Sequence, residues 1–188
     1  SSNETPWTYT VYEPPLRYHF LKRPYELVPR TLAEMPTTRY LDKGGKEVPA
    51  ETPASEIAES VMELKIKPGI LYAPHPAFAS EGGKLLYHAL TADDVKSKSK
   101  PADFPRTGTR ELLAEDYAYA VKRLATPRVG SPAFGFLSGY IVGLADYGAK
   151  LKKVNDSMKA GRSAREAGVF GDLPWLDLRQ HELPGVQV

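Results

Sequence analysis

The chain of 188 residues contains no cysteine. Disulfides, thiol nucleophiles and thiolate metal sites are therefore excluded. No apolar run approaches the roughly 20 residues that a membrane-spanning helix needs. An excess of one charge is also missing: 25 Lys and Arg stand against 23 Asp and Glu, a net charge of +2. That balance points to neither nucleic acid nor a charged membrane surface as partner. The opening stretch SSNETPWTYT carries no signal-peptide pattern.

The motifs of familiar chemistry are absent too. The four histidines, His19, His75, His88 and His181, form no HExxH or other tight metal pair. There is no phosphate-cradling GxxxxGK[ST] loop and no EF-hand loop. GFLSG (135–139) is one residue out of step with the nucleophile elbow, and it falls in a helical stripe instead of a strand-to-helix turn. Glu115 and Asp116 are adjacent on a helix, so they point apart and make a poor acid–base pair. Their position at a helix start complements the helix dipole. These absences favour binding over catalysis. No enzyme activity, cofactor or metal is expected.

What is present begins with 17 prolines and 11 tyrosines within a hydrophobic content of 41%. That hydrophobic share fits a folded chain, and the prolines imply short elements and many reversals. The β-forming residues Thr8 to Tyr12 read as a strand ended by Pro14-Pro15. Arg30 to Met35 read as a single helical turn before Pro36. Gly44-Gly45 reads as a turn. Ser60 to Lys67 reads as a half-buried strand, and Pro68-Gly69 turns the chain after it. Together with Gly44-Gly45 this strand suggests an antiparallel ribbon. The stretch from Ala73 to Arg110 reads mostly as loop, and KSKSKP within it as an exposed linker.

The helices are plainer. Thr91-Ala92-Asp93-Asp94 has the spacing of a capping box and predicts a short helix from Thr91. Glu111 to Ala125 predicts a longer one. Leu113, Tyr117, Val121 and Leu124 share a face, acids lead, bases trail, and Pro127 stops it. A long or broken helical region follows, with Phe134, Leu137, Ile141, Leu144, Tyr147 and Leu151 as its apolar stripe. Gly135, Gly139 and Gly143 recur every four residues, either for close packing or at a cost to the helix of about 1 kcal/mol each. The Lys and Arg residues of 150–166 read as a solvated face. The final residues read as the beginning of a strand.

Several stretches, in order, resemble the family 5 extracellular solute-binding proteins, the oligopeptide- and dipeptide-binding components of bacterial ABC importers. They are YEPPLRYH (12–19), YELVPRTLAE (25–34), MELKIKPGILYAPHPAFA (62–79), and the paired helix starts LTADDV (90–95) and LLAEDYAYAVKRL (112–124). The resemblance covers most of residues 12–147. It is closest to a longer subgroup, in which an insertion separates the two helix starts. Two departures stand out: Leu113 takes the place of the usual capping Thr, and APHPAF follows the strand where the family has a different turn.

The resemblance implies an α+β fold forming part of the first lobe of a two-lobed periplasmic binding protein, with a mixed or antiparallel sheet and packed helices. It implies an N-terminal fragment in three segments: 1–40 from the first lobe, 41–170 as an inserted α+β subdomain, and 171–188 returning toward the lobe. The implied partners are a peptide or related small ligand, the membrane permease and the missing second lobe. The implied location is the periplasm. Tyr12, Glu13 and Pro14 match the early segment nearest the family's cleft and are the candidate ligand-binding residues. A stand-alone interaction module with a Tyr- and Pro-rich surface is the competing expectation.

Overall fold

The computed structural model describes residues 12–160 and 176–188. It is a mixed α+β structure of short antiparallel sheets and a few helices. The chain divides by packing into two units, 1–112 and 113–188. The three-part division expected above follows a lobe layout and remains a proposal.

In the first unit, Pro14-Pro15 leads into a hairpin of β1 (Leu16–Tyr18) and β2 (Leu27–Pro29), with Leu16 opposite Pro29 and Tyr18 opposite Leu27. The expected strand at Thr8 to Tyr12 lies outside the described residues except for Tyr12, which is not in a strand. The helical turn expected at Arg30 to Met35 does not form. Leu32 instead bridges Ile66, the Lys67 N–H donates to the Thr31 carbonyl at 2.8 Å, and the Ala33 N–H donates to the Lys65 carbonyl at 2.9 Å. This pairing with a distant segment buries Thr31 and Leu32 and outweighs the weak local preference.

β3 (Thr37–Leu41), β4 (Glu47–Val48) and β5 (Glu59–Glu63) form an antiparallel sheet in the order β4-β3-β5, as the ribbon reading expected. Asp42 makes its tight turn: one carboxylate oxygen accepts the N–H groups of Gly44 at 2.8 Å and Lys46 at 3.0 Å, while Gly45 takes φ 76°. β5 ends at Glu63, before the expected Lys67. Val61 is half-buried, but Met62 and Leu64 are exposed. The region expected to be mostly loop contains a further hairpin, β6 (Ser80–Glu81) with β7 (Lys84–Leu85). Its two-residue turn is Gly82-Gly83, both at positive φ, which is the geometry that two-residue hairpins prefer. Thr91 caps α1 (Ala92–Val95) with the expected box: its Oγ1 accepts the Asp94 N–H, and the Asp94 carboxylate accepts the Thr91 N–H at 2.8 Å.

The second unit begins at α2 (Ala114–Leu124). The helix starts three residues later than expected, because Glu111 is held in a bridge to Leu71 and the Leu112 N–H donates to the Ile70 carbonyl at 2.8 Å. α3 (Ala133–Leu137) and α4 (Leu144–Lys159) are the two pieces of the broken helical region. Gly143, at φ 76°, stands at the head of α4. The expected stripe is the core: Leu144, Tyr147 and Leu151 are buried together with Ala125, Leu178 and Leu183, and Phe134, Leu137 and Ile141 pack against them. Each fully buried Leu contributes about 1.5–3 kcal/mol relative to exposure. Of the glycines spaced by four, a Cβ on Gly135 would meet nothing within 4 Å and one on Gly139 only the Phe136 carbonyl oxygen at 3.6 Å, whereas one on Gly143 would lie 3.0 Å from the Pro184 ring. Close approach occurs at Gly148, against the Phe134 ring.

The tail forms no strand among the described residues. A short 3-10 turn spans Leu178–Gln180, and the Gly185 N–H then donates to the Val142 carbonyl at 3.0 Å. A Cβ on Gly185 would lie 2.4 Å from that carbonyl oxygen. The tail is thus packed against the α3–α4 connection through Leu183 and Gly185, and this contact takes the place of strand pairing. The lysines at 150, 152 and 153 are exposed on α4, in line with a solvated face; 161–166 of that basic run lie outside the described residues.

Candidate functional site

Two of the three candidate residues are occupied with structure. Glu13 pairs with Arg30, and both side chains are about half exposed, so the pair adds little to stability. The Pro14 carbonyl accepts the Thr31 N–H and the Thr31 hydroxyl, each at 3.4 Å, and the Pro15 carbonyl accepts the Arg30 N–H at 2.9 Å. These contacts fasten the strand entry to the segment leaving β2. Tyr12 differs from them in being 70% exposed.

The hairpin built on that fastening presents what sequence reasoning missed. Its tip, HFLKRPYE (19–26), is ordered from within. The His19 N–H donates to the Glu26 carbonyl at 2.7 Å, and the His19 Nδ1 accepts the N–H groups of Leu21 and Lys22, each at 3.2 Å. With its imidazole spent on the turn, His19 props the loop. Held outward on it are Phe20, 87% exposed, and Leu21, 78% exposed, flanked by exposed Tyr18 and Tyr25. The two tyrosine rings meet edge to face at 5.6 Å, and the Arg23 guanidinium lies 4.4 Å from the Tyr25 ring centroid. Exposed aromatic and aliphatic side chains of this kind are the usual material of contact sites. A cue existed in the run Tyr18-His19-Phe20-Leu21, where large apolar side chains follow one another with no period to bury them.

The other residues weighed for chemistry are dispersed. His75 caps a 3-10 turn (Pro76–Phe78), with its Nδ1 accepting the Ala77 N–H at 3.1 Å. Among the described residues no group of three His, Asp or Glu side chains is placed to hold a metal ion. Ser138 of GFLSG donates to the Gly135 carbonyl at 3.1 Å at the end of α3, as a helix-end hydroxyl does. The Asp116 carboxylate accepts the Leu113 N–H at 2.9 Å, which confirms its structural use at the start of α2. The Thr109 hydroxyl donates to the Tyr72 carbonyl. Among the described residues no helix is long and apolar enough to cross a membrane. No protein-family model, curated protein or solved structure matches the chain.

Proposed function

We propose that these residues are part of the first lobe of a periplasmic solute-binding protein that captures peptides for an ABC importer. The reading rests on the family resemblance of residues 12–147. The observation that carries it furthest is the exposed apolar hairpin tip around Phe20 and Leu21. Such a surface is expected of one wall of a cleft whose other wall belongs to a second lobe. An extended peptide would be held mainly through backbone hydrogen bonds, with loose pockets for its side chains. Closure by hinge motion would then present the loaded protein to the membrane permease. One wall alone buries too little of a ligand to hold it well.

The test is isothermal titration of the complete gene product with pooled di- to pentapeptides. Heat of binding is expected for the complete protein and little for residues 1–188 alone. Absence of heat with every pool would remove the peptide assignment. The same exposed tip also suits a stand-alone interaction module. Cooperative unfolding of residues 1–188 as an isolated monomer would favour that reading.

A further inference from the structure

Within the first unit, the loop that begins at His75 and the segment from Tyr87 to Phe104 enclose an open cavity of about 350 Å³. Tyr87, Leu90, Val95 and Phe104 supply its apolar wall, and Lys98 and Lys100 line its polar side. No carboxylate lines it. Its size is that of a small-molecule site, which runs from about 300 to 1,000 Å³.

The walls are built and braced. The Tyr87 and Phe104 rings pack edge to face at 5.0 Å, and the Lys98 ammonium lies 5.8 Å from the Phe104 ring centroid. The Asp103 carboxylate accepts the Ser99 N–H at 2.8 Å, the Lys100 N–H at 3.1 Å and the Ser99 hydroxyl at 3.1 Å. These bonds pin the turn that carries both lysines, and they hold the Asp103 carboxyl below the usual range. Asp103 is therefore tied mainly to the turn, and the Lys98 charge adds a smaller share to the lowering. No described carboxylate lies within ion-pair distance of Lys98 or Lys100, whereas neighbouring Lys96 is paired with Asp93 at 2.5 Å. His75, which also lines the cavity, uses Nδ1 for the Ala77 N–H.

We propose that this cavity binds an amphipathic monoanion, an aryl- or alkyl-carboxylate. The apolar body rests on Tyr87, Leu90, Val95 and Phe104, and the carboxylate lies between the two ammonium groups. Two cations without an ion-pair partner among the described residues, beside a lining free of acids, complement such a molecule in both charge and polarity. The proposal stands on this cavity alone and does not rest on the lobe reading.

Titration of the isotope-labelled complete gene product by NMR tests it, with 4-phenylbutyrate and its uncharged amide as the probes. The acid is expected to shift the amide signals of Tyr87 and of residues 98–104 at millimolar concentration. It should bind on the order of tenfold more tightly than the amide at low salt. High salt, or Lys98→Gln with Lys100→Gln, should remove the difference between the two, because the preference is for charge. Equal binding of acid and amide to the unaltered chain would overturn the proposal. So would the absence of any shift in those signals with the acid.

Discussion

Gly148 and Tyr147 are neighbours on α4 and pull stability in opposite directions. A Cβ on Gly148 would lie 2.4 Å from Cζ and 2.9 Å from Cε2 of Phe134. Ala gains up to about 1 kcal/mol over Gly in a helix, whereas overpacking costs about 1–3 kcal/mol. The steric effect should win, so Gly148→Ala is expected to destabilise the fold by about 1–2 kcal/mol in urea unfolding. Gly135→Ala, with open space around the new methyl, is expected to be neutral or stabilising. The Tyr147 hydroxyl is buried with no hydrogen-bond partner among the described residues. Burial, with Tyr119 adding to it, pushes the phenol up to about 12. A raised phenol contributes stability that is complete below its ordinary value of 10.0 and is lost as pH rises toward 12. Tyr147→Phe should therefore hold or raise stability at neutral pH by about 1 kcal/mol. It should also flatten the loss of stability above pH 10, as followed by urea midpoints across alkaline pH.

The two helix starts differ in one atom that matters. Thr91 gives α1 both halves of a capping box, while Leu113 gives α2 only the half supplied by Asp116. Leu113 is also 48% exposed, so little packing is lost by changing it. Leu113→Thr is expected to stabilise α2 by about 1 kcal/mol, read as a higher urea midpoint with unchanged slope. Elements like these were legible because their determinants are local: a cap three residues from its partner, or a stripe at helical spacing from Phe134 to Leu151. The β1–β2 hairpin was not legible, because an eight-residue tip held by His19 and a fastening between Pro14 and Thr31 join residues far apart in sequence. For the same reason Arg30 to Met35 looked helical until Ile66 and Lys67 paired with it. The Gly82-Gly83 hairpin is written locally, but its two-residue strands carry too little pattern to mark it.

For the whole molecule, the two units have unequal cores. The second gathers Leu144, Tyr147, Leu151, Leu178 and Leu183 into one cluster. The first buries few large side chains, Leu32 foremost, and leaves Phe20, Leu21, Tyr25, Met62 and Leu71 exposed. Folding stability is a small difference between large terms, so the first unit has the smaller apolar burial to draw on. Of the candidate site, Tyr12, Glu13 and Pro14 were named from resemblance. The apolar tip at the far end of the same hairpin could not be, since exposure is decided by which residues fold against which. The proposed function makes these 188 residues part of a larger two-lobed protein. Intact mass spectrometry of the gene product purified from its native cells tests this most directly. The account predicts a single polypeptide of several hundred residues containing this sequence. A product of 188 residues that unfolds cooperatively on its own would contradict it.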